Sequence, residues 1–305
     1  MSDDFYRRLT LCFGFFAIAA IFCMQGLVAN IEVKDLDLWL HIGMGRYIVN
    51  NHFSIPSVDI LSSSVAGTPW INHEWLFQVI VYLIYQAGGP DGLIMMQVVL
   101  VSLTGMILFL LGYNREKQFL AILSFLFVSL IYQMRFTIRP DLFSLFFFVL
   151  YIWMLSFFLN RKWLIPVLLI LQILWTNMHG FFFFGPLFVL IGLVAEWIKR
   201  HVPLPWEWNQ IERLTDQEYR RLKLALGAVI LGCLINPLTF IGAWYPIGVF
   251  LQLSGESSIF FSHIMELEKP IKWATTFSMD ENPYFKLLIL ISGVSFIFNR
   301  RKMDV

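Results

Sequence analysis

Charge is scarce in these 305 residues: Asp, Glu, Lys and Arg together make up 14%, where soluble domains carry about a quarter. With 58% hydrophobic residues and a mean hydropathy of +0.69, a water-soluble globule is excluded and the chain falls in the membrane class. Cysteine is rarer still. Cys12, Cys23 and Cys233 all sit inside apolar runs, so no disulfide framework is legible and each reads as a small hydrophobe. A net charge of +1 and the lack of a basic cluster argue against a nucleic-acid partner. Catalytic signatures are missing as well: there is no G-x-S-x-G, P-loop or C-x-x-C. "HEWLF" at 73–77 lacks the second histidine one turn on that a zinc-protease helix needs.

Long apolar runs are what the chain does have. They cover 9–29, 92–113, 118–134, 140–159, 163–178, 181–198, 222–236 and 284–299, each near the roughly 20 residues that cross a bilayer. The first run has no small-x-small cleavage site and reads as a retained anchor. Basic residues punctuate alternate ends of the runs (Arg7 and Arg8, Arg115 and Lys117, Arg161 and Lys162, Lys199 and Arg200, Arg300 to Lys302). With those ends in the cytoplasm, eight spans with both termini inside are expected, in the cytoplasmic membrane. Segment 238–253 would then lie along the outer surface, and 201–223 reads as an amphipathic helix on the inner surface. The fold class predicted is an all-α polytopic membrane protein with about eight transmembrane helices.

This topology sends five of the six histidines (His41, His52, His73, His179, His263) to the outer side. The first outer segment, residues 30–91, is the longest connection, and loops of that length usually carry function or structure of their own. Two interfacial helices are readable in it. "LWLHIGMGRYIVNN" has Leu38, Ile42, Tyr47 and Ile48 on an apolar side and sets Asp37 and His41 four apart, on one face. "NHEWLFQVIVYLIYQAGG" opens on Asn72 as N-cap, puts Glu74 in the first turn and stops at Gly88-Gly89. "SIPSVDILSSSVAGTPW" between them is a turn segment carrying Asp59.

Asp35 and Asp37, with Glu74 and His41 or His73, have the chemistry of a carboxylate cluster that holds a divalent cation or takes a proton. Singly, each acid reads more readily as surface charge at a helix end. Two other outer connections favour a shared polar cleft. "YQMRFTIRPDLFS" carries Arg135, Arg139 and Asp141, and "WTNMHGFFFFG" carries Asn177 and His179. Polar groups so close to spans are expensive unless they face a cavity or a partner. For Arg139-Pro140-Asp141 the alternative is a cap with a local ion pair, and for His179 a histidine bonded to a backbone carbonyl.

A first span, an outer loop with D-x-D-x-aromatic-x-H, two surface helices and a series of spans together resemble the GT-C glycosyltransferase superfamily. "DLDLWLH…IPSVD…GTPW" is similar to the first loop of oligosaccharyltransferase catalytic subunits, and the resemblance covers about residues 9–236. It implies a GT-C-like module over 1–236, followed by an outer helix, a loop and a last span over 237–305. It further implies transfer of a sugar from a polyprenyl-phosphate donor to an acceptor outside the membrane, with Mg2+ or Mn2+ as cofactor. The first-loop acids that serve as base or metal ligand in the family match Asp35 and Asp37, its second acidic site matches Asp141, and Arg139 becomes the candidate for the donor-phosphate grip. Joined to the residues read above, the candidate set is Asp37, Asp35 and Glu74 as catalytic, Asp37, Asp141 and His41 as metal ligands, and Arg139 with Arg135 at the donor phosphate. His73, Asn177, His179 and His263 complete the implied cleft. No W-W-D segment follows, so protein N-glycosylation is unsupported. A partner membrane protein would then replace the absent carboxy-terminal part, with membrane lipids as the other contacts. The competing class is a non-catalytic GT-C-like scaffold subunit. A lipid or solute carrier is disfavoured, because charge gathers at one surface rather than deep within several spans.

Overall fold

The computed structural model describes residues 3–29, 35–114, 117–132, 136–253 and 283–302. Among them the protein is all-α, its one β feature an isolated bridge between Val58 and Pro69. Arg135, His263 and most of the outer segment 254–283 lie outside the described residues.

Two compact units are present: residues 1–156 with 170–182, and residues 157–169 with 183–305. The first holds α1 (Asp3–Ala29), α2 (Asp37–Asn50), α3 (Trp75–Gly112), α4 (Gln118–Tyr132) and nearly all of α5 (Pro140–Phe157). Helix α6 (Leu164–Thr176) begins in the second unit and ends in the first, and a 3-10 turn over Gly180–Phe183 follows. The second unit continues with α7 (Phe184–His201), α8 (Asp216–Leu234), α9 (Phe240–Leu253) and α10 (Pro283–Asn299).

Three stretches are long and apolar enough to cross a membrane: Trp75–Gly112, Pro140–Phe157 and Gly180–His201. Shorter apolar helices cover Gly14–Val28, Gln118–Ile131, Leu164–Thr176, Phe240–Gln252 and Pro283–Asn299. In the first unit α1 packs on α3 and α4, and α2 lies along α3. In the second, α8 packs against both α7 and α9.

Helix α3 joins two segments that read separately in sequence, the second interfacial helix and the second apolar run. Gly89 (φ 58°, ψ −152°) breaks it, just ahead of Pro90. A positive φ followed by proline interrupts the hydrogen-bond ladder, so the leg that faces α2 can diverge from the second. The second leg, of about 22 residues, measures roughly 33 Å at 1.5 Å per residue, long enough for the hydrocarbon thickness.

Helix α2 meets the first leg of α3 through Leu38, His41, Ile42, Met44, Gly45 and Ile48, all buried. Met44 and Ile48 cluster with Val79, and Ile60, Trp70 and Trp75 close over them. Tyr47, expected on the apolar side, is exposed instead; Gly45 takes the contact position because the helices approach so closely there.

Two further expectations are corrected. Asn72 is not the cap of α3: the N-cap is Glu74, and the buried Asn72 donates through Nδ2 to Gln78 Oε1 at 2.7 Å. Residues 202–215 are not helical. Asn209 ties that segment down by accepting from the Leu204 N–H and donating to the carbonyls of Lys199 and Val202. The helix starts only at Asp216, behind a capping box of Thr215 and Glu218. Buried Glu196 completes the knot, accepting from Arg200 Nε and from the Leu214 N–H.

Candidate functional site

Polar residues from four separate stretches of the first unit converge near the start of α2 and α3. Asp35 lies just before α2 and accepts the Asp37 N–H at 3.0 Å, so it satisfies one of the orphan donors of that helix. Its side chain is 8% exposed. What compensates the burial is Arg139, from the turn before α5: Nε donates to Asp35 Oδ2, and Nη2 reaches Asp35 Oδ1 at 3.2 Å. The same Nη2 reaches Asp37 Oδ2 at 3.1 Å. Asp37, 66% exposed, is the outer arm of this clamp and Asp35 the inner one.

Glu74 forms the second focus. Its Oε1 lies 3.4 Å from His73 Nε2 and 3.9 Å from His179 Nε2, and its Oε2 lies 4.0 Å from His41 Nδ1. Three histidines from three elements thus surround one carboxylate that is 21% exposed. His41 is held by α2, with its ring edge-on to Phe77 at 5.1 Å. His73 Nδ1 faces the Ile71 carbonyl at 3.4 Å. His179 Nδ1 lies 2.8 Å from Ser144 Oγ on α5, and Trp175 Nε1 donates to that hydroxyl at 2.8 Å.

Asn177 holds the connection after α6 against α3. Its carbonyl accepts the Leu76 N–H at 3.1 Å, its Oδ1 accepts Trp75 Nε1 at 2.8 Å, and its Nδ2 donates to the Ile173 carbonyl. A residue a hundred positions away therefore meets a backbone N–H at the start of α3, where sequence alone nominated Asn72. Asn177 is a positioning residue: it carries the His179 turn to Glu74.

Burial makes His41 and His179 poor bases. It pushes His179 down to about 4, against the opposing pull of Glu74. His41 is also lowered by burial, although Glu74, Asp37 and Asp35 pull it up. The two carboxylates of the clamp are thus felt at His41, which links the foci. Burial raises the Glu74 carboxyl, but the His73 hydrogen bond and the charges of the three histidines outweigh it and leave the group below the usual carboxylate range. Near neutral pH the cluster is a carboxylate facing neutral rings of His41 and His179.

The expected metal ligands have separate neighbours. Asp37 is committed to Arg139, His41 turns to Glu74, and Asp141 lies in the first turn of α5. Among the described residues no group of three or more His, Cys, Asp and Glu side chains is spaced to hold a metal ion. Asp59 has a local role: it accepts the N–H groups of Leu61 and Ser62 and the Ser62 hydroxyl, which fastens its own turn. Ser144 and Trp175 were not singled out in sequence, since a serine and a tryptophan within apolar helices carry no spacing signal. A cavity of about 330 Å³ lies elsewhere, between the end of α3 and α4. The chain matches no protein-family model, no curated protein and no solved structure.

Proposed function

We propose that this chain is a membrane glycosyltransferase of the GT-C type that takes a sugar from a polyprenyl-phosphate-linked donor. Eight membrane-crossing helices would carry it in the cytoplasmic membrane, with both termini inside and the Glu74 site facing out. The observation that carries the reading is Glu74 ringed by His41, His73 and His179 beside the Asp35–Arg139–Asp37 clamp. A carboxylate and a guanidinium stand just ahead of α3 and α5, and both act electrostatically on His41.

In the reaction, the bond from the anomeric carbon to the phosphate oxygen breaks, and its electron pair leaves with the phosphate. The acceptor oxygen bonds to that carbon and its proton passes to Glu74. Arg139 stabilises charge developing on the departing phosphate. Formal charge here is three carboxylates against one guanidinium, so Asp37, the exposed arm, turns away as the anionic donor arrives. Buried Asp35 keeps the guanidinium oriented meanwhile. No step is routed through a divalent cation.

The test is sugar transfer by the purified protein in lipid nanodiscs, with a polyprenyl-phosphate-linked donor. Glu74→Gln is expected to lower the rate by about 10²–10⁴-fold with unchanged membrane yield. Equal rates for the variant would remove Glu74 from the chemistry. One observation favours a second reading, a scaffold subunit: Arg139 is engaged by both aspartates, as a purely structural clamp would be. That reading expects no transfer by the wild type, together with co-purification of another membrane protein.

A further inference from the structure

We infer that Ser144 is a positioning residue that fixes the ring of His179 with its proton on Nε2, the nitrogen turned toward Glu74. Its functional consequence rests on the reading of Glu74 as proton acceptor; the geometry beneath it does not. Ser144 is 3% exposed and Trp175 fully buried, so neither exchanges its partner for water.

The indole N–H can only donate, and it takes one lone pair of the Ser144 oxygen. That hydroxyl has a single proton, and a neutral imidazole has a single N–H. Two arrangements of the 2.8 Å contact between Ser144 Oγ and His179 Nδ1 follow. If Nδ1 carries the proton, the bare lone pair of Nε2 opposes the Glu74 carboxylate 3.9 Å away. If the serine donates to Nδ1, Nε2–H points at the carboxylate. In the second arrangement Trp175 N–H donates to the Ser144 oxygen and Ser144 O–H donates to His179 Nδ1, two bonds running in one direction that strengthen each other, and Nε2–H faces the Glu74 carboxylate electrostatically at 3.9 Å. Only this one keeps a bare lone pair from facing the carboxylate.

The consequence for transfer is orientation. With the His179 N–H directed at one carboxylate oxygen, Glu74 presents the other to an incoming hydroxyl. Loss of Ser144 frees the ring to place its proton on either nitrogen, and the carboxylate no longer faces a fixed N–H dipole.

The experiment is magic-angle-spinning NMR of the full chain in nanodiscs with ring-15N-labelled histidine, the His179 signals being assigned by their loss in His179→Gln. The expected result is a wild-type His179 protonated on Nε2 alone, a tautomer mixture in Ser144→Ala, and recovery of the single tautomer in Ser144→Thr, which keeps a hydroxyl. Wild-type His179 protonated on Nδ1 overturns the inference, as does an unchanged tautomer in Ser144→Ala. The wild-type spectrum decides even where Ser144→Ala does not fold. In the transfer assay Ser144→Ala should lower kcat about tenfold with KM unchanged, the size of one neutral hydrogen bond, and Ser144→Thr should restore it. A wild type without transfer activity but with the Nε2–H tautomer would refute the proposed function and leave the Ser144 assignment standing.

Discussion

Gly45→Ala tests whether the closeness of α2 and α3 builds the site. A Cβ added at Gly45 would stand 2.0 Å from the Gln78 carbonyl oxygen, 2.6 Å from its carbon and 2.8 Å from Tyr82 Cβ. Two of those atoms are backbone, so no rotamer change relieves the clash. Ordinary contact begins near 3.4 Å, and α2 must therefore withdraw by about 1.4 Å, the difference between 3.4 and 2.0 Å. Overpacking of this kind costs about 1–3 kcal/mol, partly offset by the roughly 1 kcal/mol that alanine gains over glycine in a helix. His41 lies one turn earlier on the same buried face, so its 4.0 Å approach to Glu74 lengthens with the displacement. Gly43 is the control: it is in the same helix, and an added Cβ meets nothing within 4 Å. Gly43→Ala should be neutral or stabilise by about 0.5–1 kcal/mol. The assay is thermal unfolding in detergent, paired with sugar transfer. A Gly45→Ala protein as stable and as active as Gly43→Ala would refute the claim that this close approach positions the site.

Three further outcomes are expected. His179 has a folded-state value of about 4 against an ordinary 6.5, so the unfolded chain binds its proton first. Stability from this group is complete above pH 6.5 and declines as pH falls toward 4, by about 3 kcal/mol in all; unfolding midpoints across that window should flatten in His179→Gln. Asp35→Asn, which strips a nearly buried partner from Arg139, should cost about 2–3 kcal/mol in detergent denaturation, whereas Asp37→Asn, at an exposed arm, should cost under about 1 kcal/mol. In the span region, an added Cβ at Gly105 meets Gln25 Oε1 at 2.6 Å, and Gln25 holds Ser129 Oγ at 2.7 Å. Gly105→Ala should push that amide off its partner and cost about 1–2 kcal/mol in the same measurement; an unchanged midpoint would mean the amide re-bonds elsewhere.

What was legible in the sequence follows from how each signal is encoded. Helices in the membrane class announce themselves through continuous apolar runs, and described helices fall on all eight expected stretches. Asp35, Asp37, His41 and Glu74 stood out because ionisable groups are conspicuous beside such runs. Helix ends were harder. The Leu76 N–H at the start of α3 is met by the Asn177 carbonyl, and the loop after α7 is tied by Asn209 and buried Glu196; both depend on tertiary contacts that local propensity does not contain.

Pairing within the site was the least legible, and for one physical reason. A carboxylate, a guanidinium and an imidazole are each compatible with several partners, so composition names the participants without assigning them. Arg139 reads as a phosphate grip in isolation, yet it first has to neutralise Asp35, since a nearly buried carboxylate without a partner would be destabilising. Asp37 and His41, read together as metal ligands, are likewise drawn to separate partners, Asp37 to the Arg139 clamp and His41 to Glu74. Glu74 becomes the centre because three rings reach it from different elements, while the acids of the D-x-D pattern are drawn to Arg139. Desolvation therefore decides the pairing: Asp35, the least exposed carboxylate of the three, claims the guanidinium, and Glu74 is left among imidazole rings.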